Sequence, residues 1–400
     1  MWNSQHQGGL AAEKGEGPFP GIYMNYASTS PRQSVGLTQA LIHYLEQNQH
    51  LNVGRNVEGL EDGRIQFRAR NALARFLGAP GTSQVIFTSG ITLSLNMVLL
   101  GLLKPGDHVL TTHVEHHAVS RPLRRLQRQG VIDVDLLPCA ADGSFDPAVI
   151  GKHVRSNTRL LVMTHGSNVL GTILPVAESC AQAKACGLFT VVDTAQTAGS
   201  LAITLDAHTD VLAFTGHKGL RALQGIGGFV LSTEAAQQLE PWITGGTGSA
   251  SGSFEQPQFL PDKFESGTPN TLGILSLAVA VEELLAQDLS RIREQEVQVT
   301  ARFLEGAKQI KGLKVHGTGK ADLSAPVVSV SSPTHDSGVL ARRLYEEYGI
   351  LTRCGLHCAP LAHQCAGTFP AGTLRLSFGP ETSCQDIDRA LYALETLLRS

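Results

Sequence analysis

The sequence predicts an α/β protein with a large domain, built on a mostly parallel seven-stranded sheet, and a smaller C-terminal α+β domain. Between about residues 60 and 235, short apolar segments alternate with segments of helical spacing, a pattern typical of a sheet covered by helices on both faces. A stretch rich in Gly, Ser and Pro at 240–270 separates this region from a second, shorter α+β pattern. The length of 400 residues is sufficient for both domains.

The strands of the large domain are predicted from short apolar runs that lie between segments of helical spacing. They lie at 85–89, 108–112, 134–138, 159–164, 188–193, 211–216 and 227–231. Helices between them are predicted at 92–103, 118–129 and 176–186. Because ligands of such sheets bind at the carboxyl ends of the strands, the polar residues that follow these strands are expected to share one site.

The C-terminal region begins after the stretch at 240–270, which is expected to be a long functional loop. Two helices are predicted within 271–309, the second long and exposed. The remaining elements are predicted strands at 327–331, 350–354 and 374–378 and helices at 338–348 and 385–398. We therefore divide the chain into three parts, namely a flexible tail at 1–20, a large domain at 21–285 whose first segment contributes to the small domain, and a small domain at 286–400.

Composition and charge exclude several classes of function. The chain is 42% hydrophobic and 17% charged, as expected of a globular protein. A net charge of −3 without a block of like charges argues against nucleic acid and anionic membrane surfaces as partners. The sequence lacks an apolar run of about 20 residues and a signal pattern, which favours a cytoplasmic location. Seven cysteines, an odd number, argue against a disulfide framework.

A lysine and an aspartate stand at the ends of two predicted strands. Lys218 follows Gly216 and His217, and Asp193 ends the strand at 188–193. A lysine can hold an aldehyde cofactor as a Schiff base, and a carboxylate can hold a pyridinium nitrogen, so the pair indicates pyridoxal phosphate (PLP). Taken singly, Lys218 could also be a solvated loop lysine and Asp193 a helix N-cap.

Other polar residues follow neighbouring strands. The segment 89–92 combines a glycine with the free N–H groups of a helix start. It could be a phosphate site or an ordinary turn capped by Ser or Thr, and taken alone the pattern is more typical of the turn. A histidine cluster follows the strand at 108–112, and its members could bind zinc, stack on a cofactor ring or be half-exposed loop residues. Asn168 and Gln196 could donate to the 3′-oxygen of the ring or be turn residues. The cluster consists of His113, His116 and His117, with Glu115 beside them.

Three cysteines, Cys354, Cys358 and Cys365, fall within twelve residues. Arg353 and His357 flank Cys358, and a thiol near Arg and His can be held as the nucleophilic thiolate. Alternatively, the three cysteines are small packing residues.

Two arginines border the same loop from predicted strands. Arg353 and Arg375 could each clamp a substrate carboxylate through two parallel hydrogen bonds. His357 and His363 could join the cysteines in a metal site, but their spacing matches no common zinc pattern.

Together these residues form a pattern that resembles the class V aminotransferases of PLP fold type I, within them the SufS-type group of cysteine desulfurases and selenocysteine lyases. The resemblance runs from about residue 22 to the C-terminus. Leu356 departs from the group, in which a histidine usually stands at this position. The motifs that carry the resemblance are 25–29 (NYAST), 87–92 (FTSGIT), 115–118 (EHHA), 167–173 (SNVLGTI), 193–196 (DTAQ), 215–218 (TGHK), 265–270 (ESGTPN), 357–359 (HCA) and 375–378 (RLSF).

The resemblance implies roles for the cofactor-binding residues. Lys218 would bind PLP as an internal aldimine and later remove the substrate Cα proton, Asp193 would pair with the pyridine nitrogen, and His116 would stack on the ring as a catalytic residue. Asn168 and Gln196 would bind the 3′-oxygen. The phosphate would be bound by Gly90, Ile91, Thr92, Thr215 and His217, and in a homodimer by Thr268 of the neighbouring subunit.

The resemblance also implies the reaction. L-Cysteine would be converted to L-alanine, and Cys358 would take the sulfur as a persulfide and pass it to an acceptor protein or a small thiol. The alternatives are a selenocysteine lyase acting on L-selenocysteine, another PLP-dependent C–S lyase, a class V aminotransferase and a non-catalytic sulfur-transfer scaffold. Substrate would be bound by Asn25, Ala27, Arg353 and Arg375.

Overall fold

The computed structural model describes residues 21–47 and 59–399. The predicted flexible tail at 1–20 lies outside the described residues. The strands are β1 (Ile22–Tyr23), β2 (Val85–Thr88), β3 (Asp107–Thr112), β4 (Ile132–Leu137), β5 (Thr158–Thr164), β6 (Phe189–Asp193), β7 (Val211–Thr215), β8 (Gly227–Leu231), β9 (Lys314–His316), β10 (Val327–Ser331), β11 (Ile350–Leu351), β12 (Arg353–Gly355) and β13 (Thr373–Ser377).

The helices surround these strands. They are α1 (Leu37–Gln47), α2 (Gly59–Leu77), α3 (Ile91–Leu102), α4 (His117–Arg128), α5 (Ile150–His153), α6 (Val176–Ala185), α7 (Thr233–Gln238), α8 (Thr271–Ala286), α9 (Leu289–Ala307), α10 (Ser337–Tyr348), α11 (Pro360–Cys365) and α12 (Cys384–Arg399). The stretch between α7 and α8 contains no helix or strand within the described chain, as expected of the predicted loop.

Seven strands form the main sheet in the order β2-β8-β7-β6-β5-β3-β4. The strands from β7 to β4 run parallel to their neighbours, whereas β8 is antiparallel to both β7 and β2. The predicted mostly parallel seven-stranded sheet is therefore confirmed, and each of its strands lies within two residues of the predicted position.

The alternation of side chains along the strands assigns helices to both faces of this sheet. Leu212 and Phe214 of β7 belong to the buried cluster that includes α2 and α8. Val211 and Ala213 of the same strand belong to the cluster that includes α3 and α4. Because both faces are covered, β7 is buried along its whole length, and its one polar residue, Thr215, stands at its carboxyl end.

The C-terminal strands form a four-stranded antiparallel sheet in the order β12-β13-β10-β9. The single strand predicted at 350–354 is wrong, because two short strands occupy it. β11 pairs in parallel with β1 near the start of the described chain, while β12 pairs with β13. The first strand thus packs with the C-terminal elements, since Ile22 and Met24 share a buried cluster with residues of α9, α10 and α12.

The expectation that the second helix of 271–309 is exposed is also wrong. One face of α9 is buried, including Val299, Phe303 and even Glu296. The carboxyl group of Glu296 accepts a hydrogen bond from Ser200 Oγ. Among the described residues, no helix is both long enough and apolar enough to cross a bilayer.

Candidate active site

A cleft of about 510 Å³ opens at the carboxyl ends of the central strands. β2, β3, β5, β6 and β7 end next to it, so the loops after them supply most of its wall. The predicted site residues that line it are Ala27, Gly90, Ile91, Thr92, His116, Asn168, Gln196, Thr215, His217, Lys218, Arg353 and Arg375. Residues far apart in sequence therefore meet in one place.

Lys218 and Asp193 form the charged centre of the site. Asp193 ends β6 with only 2% of its surface exposed, and Lys218 follows β7, the next strand of the sheet. Burial lowers the pKa of Lys218 to about 8, although the charge of Asp193 opposes this shift. Burial also raises the pKa of Asp193, while a backbone hydrogen bond from Ala195 and the charge of Lys218 counteract it. A lysine with a lowered pKa is a good amine nucleophile near neutral pH.

Two glycines let the Asp193 and Lys218 segments lie in direct contact. A Cβ atom on Gly219 would stand 2.3 Å from the carbonyl oxygen of Ala198, and one on Gly199 would stand 2.3 Å from that of Gly219. Gly199 also has a φ of 92°, a region that side chains disfavour. These positions therefore require glycine, and they fix the two charged residues in adjacent loops.

The start of helix α3 has the features of a phosphate site. Its N-cap, Gly90, has a φ of 149° and provides no side chain, so the first N–H groups of the helix face the cleft without a side-chain cap. Thr215 lies beside it, since a Cβ on Gly90 would stand 3.8 Å from Thr215 Oγ1. The Nδ1 atom of His217 is buried and has no hydrogen-bond partner among the described residues. An anion bound here would satisfy several of these donors.

His116 is the N-cap of helix α4. Its Nδ1 accepts a hydrogen bond of 3.0 Å from the N–H of Ala118, so the ring proton lies on Nε2 when the ring is neutral. Burial lowers the pKa of His116 to about 4, and the charges of Lys218 and His117 act in the same direction. The ring is therefore uncharged at pH 7.

The histidine cluster of the sequence does not point to one centre. His113 Nδ1 lies 2.7 Å from the carbonyl oxygen of Leu137, while His117 Nδ1 lies 3.3 Å from Ser120 Oγ. Of the three rings, His116 alone belongs to a residue that lines the cleft.

Asn168 and Gln196 use their amide groups within the protein. Asn168 Nδ2 donates to the carbonyl oxygen of His357 at 2.7 Å, and Gln196 Nε2 donates to that of Ala27 at 3.1 Å. Each NH₂ group has a second hydrogen, so these contacts leave one donor on each side chain for a ligand in the cleft.

Arg353 and Arg375 meet at Ser28. Arg353 Nη1 and Arg375 Nη2 donate to Ser28 Oγ at 3.1 and 2.8 Å, and Arg375 Nη2 also donates to Asn25 Oδ1 at 3.2 Å. Burial and, to a smaller extent, the neighbouring charge of Arg353 lower the pKa of Arg375 to about 9. No acidic side chain of the described residues forms an ion pair with either arginine. A buried and a half-buried cation without a counterion are suited to bind a carboxylate.

Cys358 lies in a tight turn at the edge of this cleft. The N–H of Ala359 donates to the carbonyl oxygen of Leu356 at 2.9 Å, and His357 and Cys358 between them have φ values of 48° and 58°. The Cys358 side chain is exposed, and its charge as a thiolate raises the pKa values of both Lys218 and Arg375, opposing the larger effect of burial. The turn therefore brings a thiol close to the lysine and the arginines.

The remaining predicted residues lie outside the cleft wall. Cys365 Sγ lies 3.0 Å from the carbonyl oxygen of Ala140, and burial raises the pKa of its thiol. Cys354 is exposed on β12. Thr268 lies beside a second hollow, of about 500 Å³, that shares Ser89 with the cleft.

The sequence did not single out Ser28 and Glu115 as individual site residues. Ser28 belongs to the quoted motif at 25–29, but only the fold shows that both arginines converge on its hydroxyl. Glu115 is buried, where it accepts hydrogen bonds from Thr112 Oγ1 at 2.5 Å and Thr164 N at 3.0 Å, and burial raises its pKa to about 8. Its place beside His116 in the sequence was the available signal.

Most of the chain matches a known protein family. The family model for aminotransferase class V matches residues 22–390. The chain belongs to the class V aminotransferase family. Probable cysteine desulfurases from Vibrio cholerae and Xylella fastidiosa are similar to it. The first is 30% identical, covering 94% of this chain and 93% of the relative, and the second is 31% identical, covering 94% and 90%.

Solved structures of cysteine desulfurases have a similar fold. An apo cysteine desulfurase from Thermococcus onnurineus has a TM-score of 0.87 at 29% identity and covers 94% of both chains. A cysteine desulfurase from Escherichia coli in an S-sulfonic acid form has a TM-score of 0.83 at 27% identity and covers 95% of both chains. The predicted PLP fold type I is thereby confirmed.

The residues of the cleft fit PLP, the predicted cofactor. Lys218 offers an amine for the aldehyde, Asp193 a carboxylate for the ring nitrogen, and the start of α3 a phosphate site. The unpaired His217 Nδ1 in the cleft wall is a further polar atom for which a bound anion would provide a partner.

Proposed function

We propose that this protein is a PLP-dependent cysteine desulfurase that converts L-cysteine to L-alanine and receives the sulfur on Cys358. One observation carries the proposal: an exposed thiol in a turn lies next to a cleft that also holds a half-buried lysine and two arginines without counterions. The similarity to cysteine desulfurases of about 30% identity over nearly the whole chain supports it. An aminotransferase would have no use for Cys358.

The residues of the cleft would have distinct roles in this reaction. Arg353 and Arg375 would bind the substrate carboxylate, with Asn25 and Ser28 holding the Arg375 guanidinium in place. Ala27 would border the substrate through its backbone, which is held by Gln196 and Ser377. When bound, PLP supplies an electron sink for the charge that develops on the substrate carbon bearing the amino group.

Lys218 and Cys358 would carry out the transfer. The neutral amine of Lys218, whose pKa is lowered to about 8, would take the proton from the substrate Cα. The thiolate of Cys358 would attack the substrate sulfur, so that an S–S bond forms as the C–S bond breaks, and Cβ would receive a proton in place of sulfur. Lys218 would then return a proton to Cα. The products are L-alanine and a persulfide on Cys358, which a protein or small thiol would then accept. His116 would pack on the ring and keep its proton on Nε2.

The proposal is tested by product analysis. The purified protein is incubated with L-cysteine and a reductant, and alanine and sulfide are measured together. Equal amounts of the two are expected. Pyruvate and ammonia would show elimination instead and would remove the role of Cys358. L-Selenocysteine is assayed in parallel, because a much faster release of selenide would favour a selenocysteine lyase.

We also infer a homodimer in which Thr268 reaches the phosphate bound by the neighbouring subunit. Thr268 is exposed and lies beside the second hollow, which adjoins the cleft at Ser89, Leu93 and Gly225. Co-expression of Thr268→Asp with Lys218→Ala tests this arrangement. If Thr268 acts across the interface, the mixed dimer has one site with both defects and one intact site, so activity returns. If Thr268 acts within its own subunit, both sites stay defective and no activity returns.

A further inference from the structure

The backbone around Cys358 is held in an unfavourable conformation. His357 and Cys358 both have a left-handed φ, at 48° and 58°, as in a type I′ turn, where glycine, asparagine or aspartate is usual. Neither residue is glycine, so both pay the steric cost of this region. Such a conformation persists only where surrounding contacts determine it, and it is common at functional sites.

Two hydrogen bonds from the cofactor side of the cleft hold this turn. The carbonyl oxygen of His357 accepts from Asn168 Nδ2 at 2.7 Å, and the carbonyl oxygen of Cys358 accepts from the backbone N–H of His117 at 2.8 Å. Both carbonyls of the two left-handed residues are thus bound. The His117 N–H is the first of helix α4 and has no acceptor within the helix, so the turn supplies one.

Asn168 is itself fixed in place. It follows β5, is 6% exposed, and its backbone carbonyl oxygen accepts from Arg375 Nη1 at 2.9 Å. The carbonyl oxygen of His357 can only accept a hydrogen bond, so the amide of Asn168 must turn its Nδ2 group toward the turn. Asn168 therefore touches the proposed carboxylate-binding arginine, the cysteine turn and the cofactor cleft at once.

We propose that Asn168 is a positioning residue for Cys358: together with the N–H of His117, its side-chain amide holds the left-handed turn and so aims the thiol at the substrate sulfur. This inference rests on the proposed function, since it assigns Cys358 as the sulfur acceptor. The second hydrogen of Nδ2 remains for the cofactor. Through this one side chain, the position of the thiol would thereby be coupled to whether the cofactor site is occupied.

Two substitutions remove one hydrogen bond each. Asn168→Asp keeps the size of the side chain but replaces the donor with an oxygen that faces the His357 carbonyl. His117→Pro removes the backbone donor to Cys358. Proline is tolerated at the first position of a helix, and His116 before it has a ψ of 158°, which suits a residue preceding proline. His117→Ala, which lacks the side chain but keeps the N–H, is the reference for the proline variant.

The readout is hydrogen–deuterium exchange of peptides that span the turn, measured on holoenzyme of equal visible cofactor absorption. Losing one hydrogen bond should make exchange at the turn about tenfold faster. We expect this increase in Asn168→Asp relative to the wild type, and in His117→Pro relative to His117→Ala. Exchange in β6 and β7 reports on the fold and should stay at the wild-type rate. Equal exchange at the turn within either pair, in folded protein, would overturn the proposal.

A kinetic readout separates positioning from substrate binding. Asn168→Asp keeps the backbone carbonyl that holds Arg375, so kcat for alanine formation should fall about tenfold while KM for L-cysteine stays unchanged. A rise in KM with unchanged kcat would contradict the proposal. If Cys358→Ala retained full turnover, the proposed function would fail, whereas the exchange result would still decide whether Asn168 holds the turn.

Discussion

Arg353 lies directly opposite Arg375 across the antiparallel strands β12 and β13. Like charges at opposite positions of a strand pair are destabilising, and here both guanidinium groups donate to the single hydroxyl of Ser28. A bound carboxylate would relieve this repulsion. The two like charges therefore repel each other until a carboxylate binds between them, which is a physical reason for the affinity of this cleft for a carboxylate.

Removing one of these charges should weaken substrate binding. Arg353→Ala is expected to raise KM for L-cysteine about 10- to 100-fold, the usual effect of losing a hydrogen bond to a charged group. Steady-state kinetics measure it, with Arg342→Ala as control, because Arg342 is exposed on α10 and pairs with Glu346. An unchanged KM in Arg353→Ala would show that the carboxylate binds elsewhere.

Cys358→Ala should keep the visible absorption of the cofactor and lose sulfide release. In the proposed mechanism the thiol accepts the sulfur, whereas the residues proposed to bind the cofactor belong to other loops. Cys354→Ala is the matched control, since Cys354 is exposed on the neighbouring strand β12. Turnover of Cys358→Ala at the wild-type rate would refute the assignment and make Cys365 the next candidate for the sulfur acceptor.

Lys218→Ala should lack the covalent link between protein and cofactor. Borohydride reduction followed by peptide mass spectrometry should find the reduced adduct on Lys218 in the wild type and in Lys152→Ala, whose lysine is exposed on α5. In Lys218→Ala the adduct should be missing. A normal adduct in that variant would mean that another lysine binds PLP.

The lowered pKa of Lys218 predicts how cofactor attachment depends on pH. The neutral amine is the reactive form, so the rate at which cofactor-free protein binds PLP should rise with pH and level off above about 8. Visible absorption followed after mixing gives this rate. A rate that still rises tenfold per pH unit up to the ordinary lysine value of 10.5 would show that burial does not shift the pKa of this amine.

The raised pKa of Glu296 predicts that the stability of the fold depends on pH, independently of catalysis. Burial raises its pKa from 4.5 to about 7, so the folded state binds its proton more tightly than the unfolded state. Its stabilising contribution is full below pH 4.5 and is lost as the pH rises through about 7. Between about pH 5 and pH 8, the wild type should therefore lose on the order of 3 kcal/mol of unfolding free energy relative to Glu296→Gln. Its Tm should fall relative to that of the variant over the same range.

The control for this measurement is Glu294→Gln, whose carboxylate is exposed on the same helix α9. Its Tm should follow that of the wild type at every pH. Parallel Tm curves for the wild type and Glu296→Gln would contradict the raised pKa of the buried carboxyl.

Alternation of apolar strands with helical segments was sufficient to predict the central sheet, because strands buried on both faces must be short and apolar throughout. The same pattern placed Asp193 and Lys218 at neighbouring strand ends. It failed at 350–354, where pairing with Ile22–Tyr23 divides the strand, and at α9, whose burial depends on a distant sheet. Contacts between segments far apart in the chain leave no periodic signal.

By itself, the sequence determined the fold class, the cofactor chemistry and the residue types of the cleft, since these follow from local pattern and motif. Only the tertiary structure decided how they act together. The left-handed turn at Cys358 contains no glycine, and it is held by hydrogen bonds from Asn168 and His117. Likewise, Arg353 and Arg375 lie opposite each other only through the register of β12 and β13. Geometry of this kind depends on long-range hydrogen bonds, which exist only once the chain has folded.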